Sequence, residues 1–516
     1  MERHTPNTSA SVKTIILFSF ILIKFLINYN LILPGYDLQR DEYLHLNQAS
    51  HLAWGYMSVP PVTSWLSYLI QLLGNSLFWI KFFPALFGAL TTVVVWKAIE
   101  ELGGNLFALI LGASCVTFSV LFRLNILYQP NSLDVLCWTI LYYFILKYIN
   151  RQQSKWIWYT AVTFAIGFLN KYNIVFAVLG IIPALLLSPE RKIFANRNLY
   201  FAMLLSLVLI LPNLIWQYHN GFPVIHHMKE LSKFQLIHVD RWNFIRSQFF
   251  FFLGNFIVII LGFFALLFYN PLKKYRLFFW SFLFTIGLFL YFRAKDYYAI
   301  GLYPIYFSFG AVYVSYLMDR SRVQILKPVC ILIAIGFFIP VYMVAFPNKS
   351  PEYITKHEET YRKLGMLRWE DGKDHALPQD FADMLGWKEL AAKTDRVFTR
   401  IGDPERTLVL CDNYGQAGAI NFYSKKGIQA VSFNADYINW FKLNKKYIHL
   451  IRIKDRDERT SELATTAPFF KDSAIEDSIT NPYAREYGTM IFSFMHAKID
   501  INKRIAHEIA TEKGDR

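Results

Sequence analysis

"TIILFSFILIKFLINYNLIL", residues 14–33, is an apolar run broken by one lysine, and it leads into "GYDLQRDEYLHLNQASHLAWGYMSVPPVTSWL", residues 35–66. The first stretch is long enough to cross a hydrocarbon core of about 30 Å as a helix. It carries Lys24 in its middle and lacks a small-residue cleavage site, so it reads as a retained helix opening a bundle rather than a signal peptide. The second stretch sets Arg40, Asp41 and Glu42 just beyond that helix, followed by His45, Trp54, Pro60, Pro61 and Trp65. Charge so close to a membrane needs a reason, because burying it in lipid is costly unless the side chain can snorkel.

The pattern continues outward from this point. Of 516 residues, 54% are hydrophobic and 18% aromatic against 18% charged, too oily for ordinary soluble domains. From Thr14 to about Phe346 the chain holds roughly eleven apolar runs of about 15–22 residues, and beyond Pro347 they stop. The expected fold is a polytopic α-helical membrane protein of about eleven transmembrane helices over residues 1–346, with a C-terminal soluble α/β domain over 347–516. No internal repeat of the transporter kind is visible. The four cysteines, Cys115, Cys137, Cys330 and Cys411, imply no disulfide framework.

The net charge of +15 is uneven: residues 347–516 hold 27 basic and 26 acidic residues, which leaves 26 basic and 12 acidic in 1–346. The excess belongs to the membrane part, and nucleic acid is not an expected partner. Basic clusters recur between alternate hairpins: Lys147, Arg151 and Lys155; Arg191, Lys192 and Arg197; Lys273, Lys274 and Arg276; Arg320, Arg322 and Lys327. By the positive-inside rule these loops and the N-terminus are cytoplasmic. The 35–65 segment, 123–133, a turn near Asn170, the 218–245 loop, a turn at 293–298 and the tail after Pro347 then face out, which sets the tail in a periplasm or its equivalent.

In the tail, "RTLVLCD" and "KYIHLIRIKD" read as short buried strands and "MLGWKELAAKTDRVFTRI" as an amphipathic helix, an alternation that favours an α/β domain. Within "CDNYGQAGAINFY", Asn413 to Gly415 are expected to turn and Gly418 to lie inside a helix. The stretch lacks the glycine spacing and Lys-Ser/Thr ending of a phosphate loop.

Three outward segments carry ionisable groups near membrane depth. If residues 40–52 form a short interfacial helix, Asp41 and His45 are four apart and Glu42 and His45 three apart, on one face. A carboxylate there can take a proton from an attacking hydroxyl or hold it in line. The competing reading is an ordinary loop helix whose acidic N-terminus suits the macrodipole. In "FRLNILYQPNSLDVLCW", Arg123 ends one helix and Asp134 falls in the first turns of the next, either as a second carboxylate over the same cavity or as a dipole-favoured residue, with Ser132 an equal choice of cap. In "YFRAKDYYAIGLYPIYF", Arg293 and Lys295 can neutralise a phosphate at headgroup depth or simply snorkel, with Tyr297 and Tyr298 beside them. Lys171, in "FLNKYNIVF", has a similar place in a weaker context. His45, Lys171, Tyr297 and Tyr298 are the candidates for contacting substrate. His226 and His227 have no partners of ligand type nearby in sequence, so no metal is assigned.

These pieces, in order from "RDEYLHLNQASHLAWGYMSVPP" through "QPNSLDVLCW", "NKYNIVF" and "KDYYAIGLYPIYFSFGA" to "LPQDFADMLGWKELA" and "NYGQAGAINFY", resemble the GT-C membrane glycosyltransferases, specifically the protein mannosyltransferase and aminoarabinose transferase group of family 39, in a bacterial subgroup with an α/β tail. The resemblance implies a polyprenyl-phosphate-linked sugar as donor, an outward-facing site in the inner membrane, and inversion at the sugar carbon. It implies Asp41 as general base or acceptor-orienting carboxylate, Glu42 as its neighbour and Asp134 as the second acidic group. Aminoarabinose transferases often have lysine before the Pro-Pro pair, where this chain has Val59, so Lys295, Arg293 and Arg123 become the candidates for the donor phosphate. No cofactor is implied, a divalent cation beside the carboxylates stays open, and the acceptor is lipid A, another envelope glycan or a protein.

Two rivals remain. A lipid-linked sugar flippase would line a path with these charges; the absence of repeats and of broken mid-membrane helices, and the gathering of charge on one face, argue against it. A polysaccharide ligase or polymerase would use the same donors with a larger outer loop, an idea that Arg241, His219, His226 and His227 keep open.

Overall fold

The computed structural model describes residues 9–32, 35–234, 239–320, 324–456 and 459–514. Arg322 of the last basic cluster and part of the 218–245 loop lie outside these residues. The described chain forms two compact units, one of residues 1–31, 59–63 and 73–346, the other of 32–58, 64–72 and 347–516. The division is therefore not a single cut after residue 346, because the segment bearing Asp41 is built into the second unit.

The first unit is helical and membrane-embedded. Five helices among the described residues are long and apolar enough to cross a bilayer: Ala10–Asn30, Leu77–Glu101, Asn131–Arg151, Arg197–His219 and Gln324–Ala345. Three further pairs pass only if each bent pair counts as one span, giving up to eight against the roughly eleven apolar runs of the sequence. These pairs, Ile174–Leu186 with Pro189–Ala195, Arg241–Phe251 with Phe256–Phe268, and Asp296–Leu302 with Pro304–Arg320, bend by 107°, 100° and 53°. Pro189 and Pro304 open the second member of two of them, as a residue without an N–H and with φ fixed suits a helix start. The bend at Pro189 falls beside the basic loop of Arg191, Lys192 and Arg197, and the one at Pro304 follows the turn expected at 293–298.

The first helix is capped by Ser9, whose hydroxyl accepts from the Val12 N–H. It turns Ile15, Phe18, Leu22 and Leu26 outward, each more than half exposed, an apolar surface that only lipid satisfies. Lys24 points the other way. It is 1% exposed, with its ammonium 4.6 Å from the centre of the Phe122 ring. Asn131–Arg151 is the most buried of the spanning helices and packs on Leu77–Glu101, Lys155–Asn170, Ile174–Leu186 and Pro304–Arg320. At its end Lys147 and Arg151 reach Glu101 at 2.6 and 3.1 Å, so two of the clustered basic residues are paired within the fold.

In the second unit five strands form one sheet: β1 (Thr407–Cys411), β2 (Val431–Ser432), β3 (His449–Lys454), β4 (Phe470–Ser478) and β5 (Met490–Ala497), in the order β2-β1-β3-β5-β4. β1 runs parallel to β2 and β3, while β5 is antiparallel to β3 and β4. Every residue of β1 is buried, as a strand covered on both faces requires. Leu408 and Leu410 face a core shared with Phe492, Phe494, Ile501 and Ile505. The Trp387–Ile401 and Tyr414–Tyr423 helices also pack on the sheet, and Gly402 at φ +72° closes the former in the left-handed conformation that ends many helices. The turn expected at Asn413–Gly415 is tighter than that. Asn413 accepts from the Gln416 N–H at 3.0 Å as an N-cap, and the helix begins at Tyr414.

Membrane helices approach closely where side chains are absent. A Cβ at Gly310 would overlap the Val258 carbonyl oxygen, and one at Gly262 would stand 3.0 Å from the Gly310 nitrogen. Gly336, in another helix, has nothing within 4 Å. Gly310→Ala is expected to destabilise the chain by about 1–3 kcal/mol through forced separation of the helices. Thermal unfolding in detergent should show a lowered Tm for Gly310→Ala and none for Gly336→Ala.

Candidate functional site

The second unit draws the 35–58 segment onto the α/β elements by a series of polar contacts. Gly386, at φ +86°, precedes the Trp387–Ile401 helix and has no side chain to cap it. Asp37 supplies the missing acceptor, taking the Trp387 and Lys388 N–H groups at 3.1 and 3.2 Å and pairing with the Lys388 ammonium at 3.0 Å. The Asp37 N–H donates to Met384 O at 2.7 Å and the Arg40 N–H to Asp383 O at 3.2 Å. The Arg40–Asn47 helix then starts with a capping box, Gln39 accepting from the Asp41 N–H and Glu42 from the Gln39 N–H, each at 2.8 Å.

That helix crosses Tyr414–Tyr423 at two glycines. A Cβ on Gly415 would overlap the Arg40 Cγ, and one on Gly418 would stand 2.6 Å from the Tyr43 Cβ and 2.8 Å from the Tyr437 hydroxyl. Asn47 donates to Tyr437 at 2.7 Å, Gln48 donates to Asp436 at 3.0 Å, and the Met57 N–H donates to the other Asp436 oxygen at 2.7 Å.

Asp41 sits in this crossing with its side chain 38% exposed. The Tyr414 hydroxyl donates to its Oδ1 at 2.6 Å, and Arg40 Nε lies 3.8 Å from the same oxygen. The Arg40 guanidinium stacks 5.0 Å from the centre of the Tyr414 ring. Beneath it Asp383, 1% exposed, pairs with Arg485 at 3.3 Å. Burial pushes the Asp383 carboxyl up to about 6, against the pull of Arg40 and Arg485.

The other two residues read with Asp41 have different surroundings. Glu42 is fully buried and serves the capping box. His45 is 5% exposed, with Nδ1 3.5 Å from Gln48 Oε1, and burial lowers its pKa, so it is a neutral core imidazole rather than an open substrate contact. Helical spacing alone placed the three together, and it cannot tell which side of a short helix the domain covers.

The first unit gathers a second cluster. Asp134 is buried near the start of Asn131–Arg151, accepting from Trp138 Nε1 at 3.0 Å and from Asn173 Nδ2 at 3.2 Å. Asn173 also donates to Tyr298 O at 2.8 Å. The Lys171 ammonium donates to Asn131 Oδ1 at 2.8 Å and lies 4.6 and 5.3 Å from the ring centres of Tyr298 and Tyr297. Asp134, Lys171, Tyr297 and Tyr298 are thus brought together from three segments. Ser132 does not cap the helix; its hydroxyl donates to Leu124 O at 2.7 Å.

Lys295 is half-buried at the head of Asp296–Leu302, and its charge adds to burial in lowering the pKa of His227. Arg293 is exposed, in the left-handed region at φ +50°, and Arg123 is half-buried in Leu121–Leu124. No three His, Cys, Asp or Glu side chains among the described residues are grouped to hold a metal ion. An apolar cavity of about 600 Å³, lined by residues such as Leu141, Phe164, Ile182 and Leu207, holds none of the candidate groups. Sequence reasoning passed over Tyr414 and Asn173. Both lay in quoted motifs, and the asparagines at either end of "NKYN" were the available signal for the second, because an amide at a membrane helix end must find a partner.

Residues 58–216 match the family model described as dolichyl-phosphate-mannose-protein mannosyltransferase. A lipid A galacturonosyltransferase, RgtD, from Rhizobium johnstonii (strain DSM 114642 / LMG 32736 / 3841) is 26% identical over 201 residues, 38% of this chain. The match spans 42% of that relative's own length. Among solved structures, ArnT from Cupriavidus metallidurans bound to undecaprenyl phosphate superimposes with a TM-score of 0.63 at 13% identity, covering 94% of this chain and 98% of that one. The archaeal oligosaccharyltransferase AglB from Archaeoglobus fulgidus, in complex with an inhibitory peptide and a dolichol-phosphate, gives 0.50 at 12% identity over 95% of this chain and 75% of that one. The fold is that of these membrane proteins, and the small C-terminal sheet unit is present within it.

Asp383 yields a pH prediction. Its native pKa, about 6, lies above the ordinary carboxylate value of the unfolded chain, so its contribution is most favourable below that ordinary value and is lost as pH rises to about 6. The loss is on the order of 3 kcal/mol at most. Thermal unfolding in detergent from pH 4 to 7 should show wild type losing stability across this window more steeply than Asp383→Asn.

Proposed function

We propose, for a chain of the GT-C fold of the ArnT and protein-mannosyltransferase type, that it transfers a sugar from a polyprenyl-phosphate donor to an acceptor of the bacterial envelope. The reaction takes place at the outer face of the inner membrane, with the α/β unit in the periplasm. Lipid A or a related glycan is the acceptor class favoured by the galacturonosyltransferase likeness. The observation that carries the reading is Asp41: a carboxylate fixed by a phenol and a guanidinium, yet 38% exposed, on the segment that follows the first membrane helix.

The chemistry needs no nucleotide. An acceptor hydroxyl attacks the anomeric carbon, and its proton passes to Asp41. The bond from that carbon to the phosphate oxygen breaks with its electron pair, releasing polyprenyl phosphate and inverting the sugar carbon. Positioning and charge stabilisation of the leaving phosphate do the rest. Lys171, Lys295, Arg293 and Arg123 are the cations proposed for that phosphate, Asp134 orients Asn173 beside Lys171, and Tyr297 and Tyr298 flank the ammonium. Val59 leaves the position before Pro60 without a cation. Glu42 and His45 take structural roles in this scheme.

The rival is a lipid-linked sugar flippase, which moves its cargo without bond breakage along a path lined by such charges. A transfer assay separates the two. Purified wild type in liposomes, given a panel of polyprenyl-phosphate sugars and envelope acceptors, should label an acceptor. Asp41→Asn, at equal Tm, should cut the rate by about two orders of magnitude or more. Donor crossing the bilayer without any labelled acceptor would support the flippase instead.

A further inference from the structure

We propose that Tyr414 is a positioning residue for Asp41, so that the α/β unit contributes directly to the reacting centre. The inference rests on the glycosyl-transfer reading and adds to it a role for the tail. A carboxylate that receives a proton must present one oxygen in a fixed direction, and an aspartate side chain free to turn does not. The Tyr414 hydroxyl holds Oδ1 at 2.6 Å and so fixes the plane of the carboxylate while the group stays partly exposed.

The phenol is fixed in its turn. It stands at the first residue of a helix capped by Asn413, beneath the Arg40 guanidinium, and Arg40 can lie there because Gly415 has no side chain to displace it. Burial and the Asp41 charge push the Tyr414 pKa well above its ordinary value, so the phenol is a donor throughout the working pH range. Donation to the carboxylate is charge-assisted and directional. Removing the donor therefore leaves the Asp41 side chain free to swing. A residue serving only to dock the segment would be replaceable by phenylalanine with kcat unchanged.

The test uses the full chain in detergent and two readouts. Infrared difference spectra against pH identify the Asp41 carboxyl band as the one missing in Asp41→Asn. In Tyr414→Phe the frequency of that band should shift from its wild-type value, as loss of a charge-assisted hydrogen bond requires. 3-Fluorotyrosine at position 414, nearly isosteric and a stronger donor, should shift it the opposite way. A band that stays in place in both overturns the proposal whether or not the chain transfers sugar. In the transfer assay, Tyr414→Phe should lower kcat by about tenfold, with donor KM changed by less than about twofold. Wild-type kcat in Tyr414→Phe would also overturn it. A wild type that transfers nothing while the infrared bands separate as expected would remove the glycosyl-transfer reading and leave the hydrogen bond standing.

Discussion

The close crossing of Arg40–Asn47 over Tyr414–Tyr423 is the contact on which the second unit's site depends. Two glycines three residues apart, Gly415 and Gly418, clear one face of the second helix, and Arg40 and Tyr43 of the first fill it. Once that approach is made, the polar contacts follow: Tyr414 to Asp41, Asn47 to Tyr437 and Gln48 to Asp436. Asp37 completes the joint from a different direction by capping the Trp387–Ile401 helix, so the segment and the sheet unit each satisfy groups that the other leaves open. A buried polar interface of this kind tolerates little slack, because a donor or acceptor left unpaired there costs about 1–3 kcal/mol.

The membrane unit solves a related problem with different means. Much of its outer surface is hydrocarbon, and several polar groups at its helix ends are turned inward onto one another. Asp134 is held by an indole and an amide, while Lys171 sits against an amide and two tyrosine rings.

Much of the architecture was readable from residues alone. The apolar runs end at Phe346, and the five-stranded sheet contains both strands read from "RTLVLCD" and "KYIHLIRIKD", because burial on two faces leaves an unmistakable apolar run. The allegiance of residues 32–58 was not readable, since it arises from glycines some 370 positions away in sequence. The break between Phe251 and Phe256 was not readable either, because no proline marks it within an apolar run.

For the site, Asp41 of the acidic pair after the first helix lies at a polar crossing in the second unit, and Asp134 with Lys171 and the paired tyrosines comes together from separate motifs. Spacing gave Glu42 and His45 the same standing as Asp41, whereas the capping box and burial separate them. Tyr414 carried no signal of its own, since one tyrosine in an aromatic-rich chain is ordinary until its partner is known.

Hydrogen–deuterium exchange of the amides of residues 40–47, in the full chain and in Gly418→Leu, tests the central contact most directly. Strong protection in wild type that falls in the variant, with the β3 amides unchanged in both, is the predicted result. Exchange of residues 40–47 at the rate of an unstructured peptide in wild type, or protection indifferent to Gly418→Leu, would contradict the account.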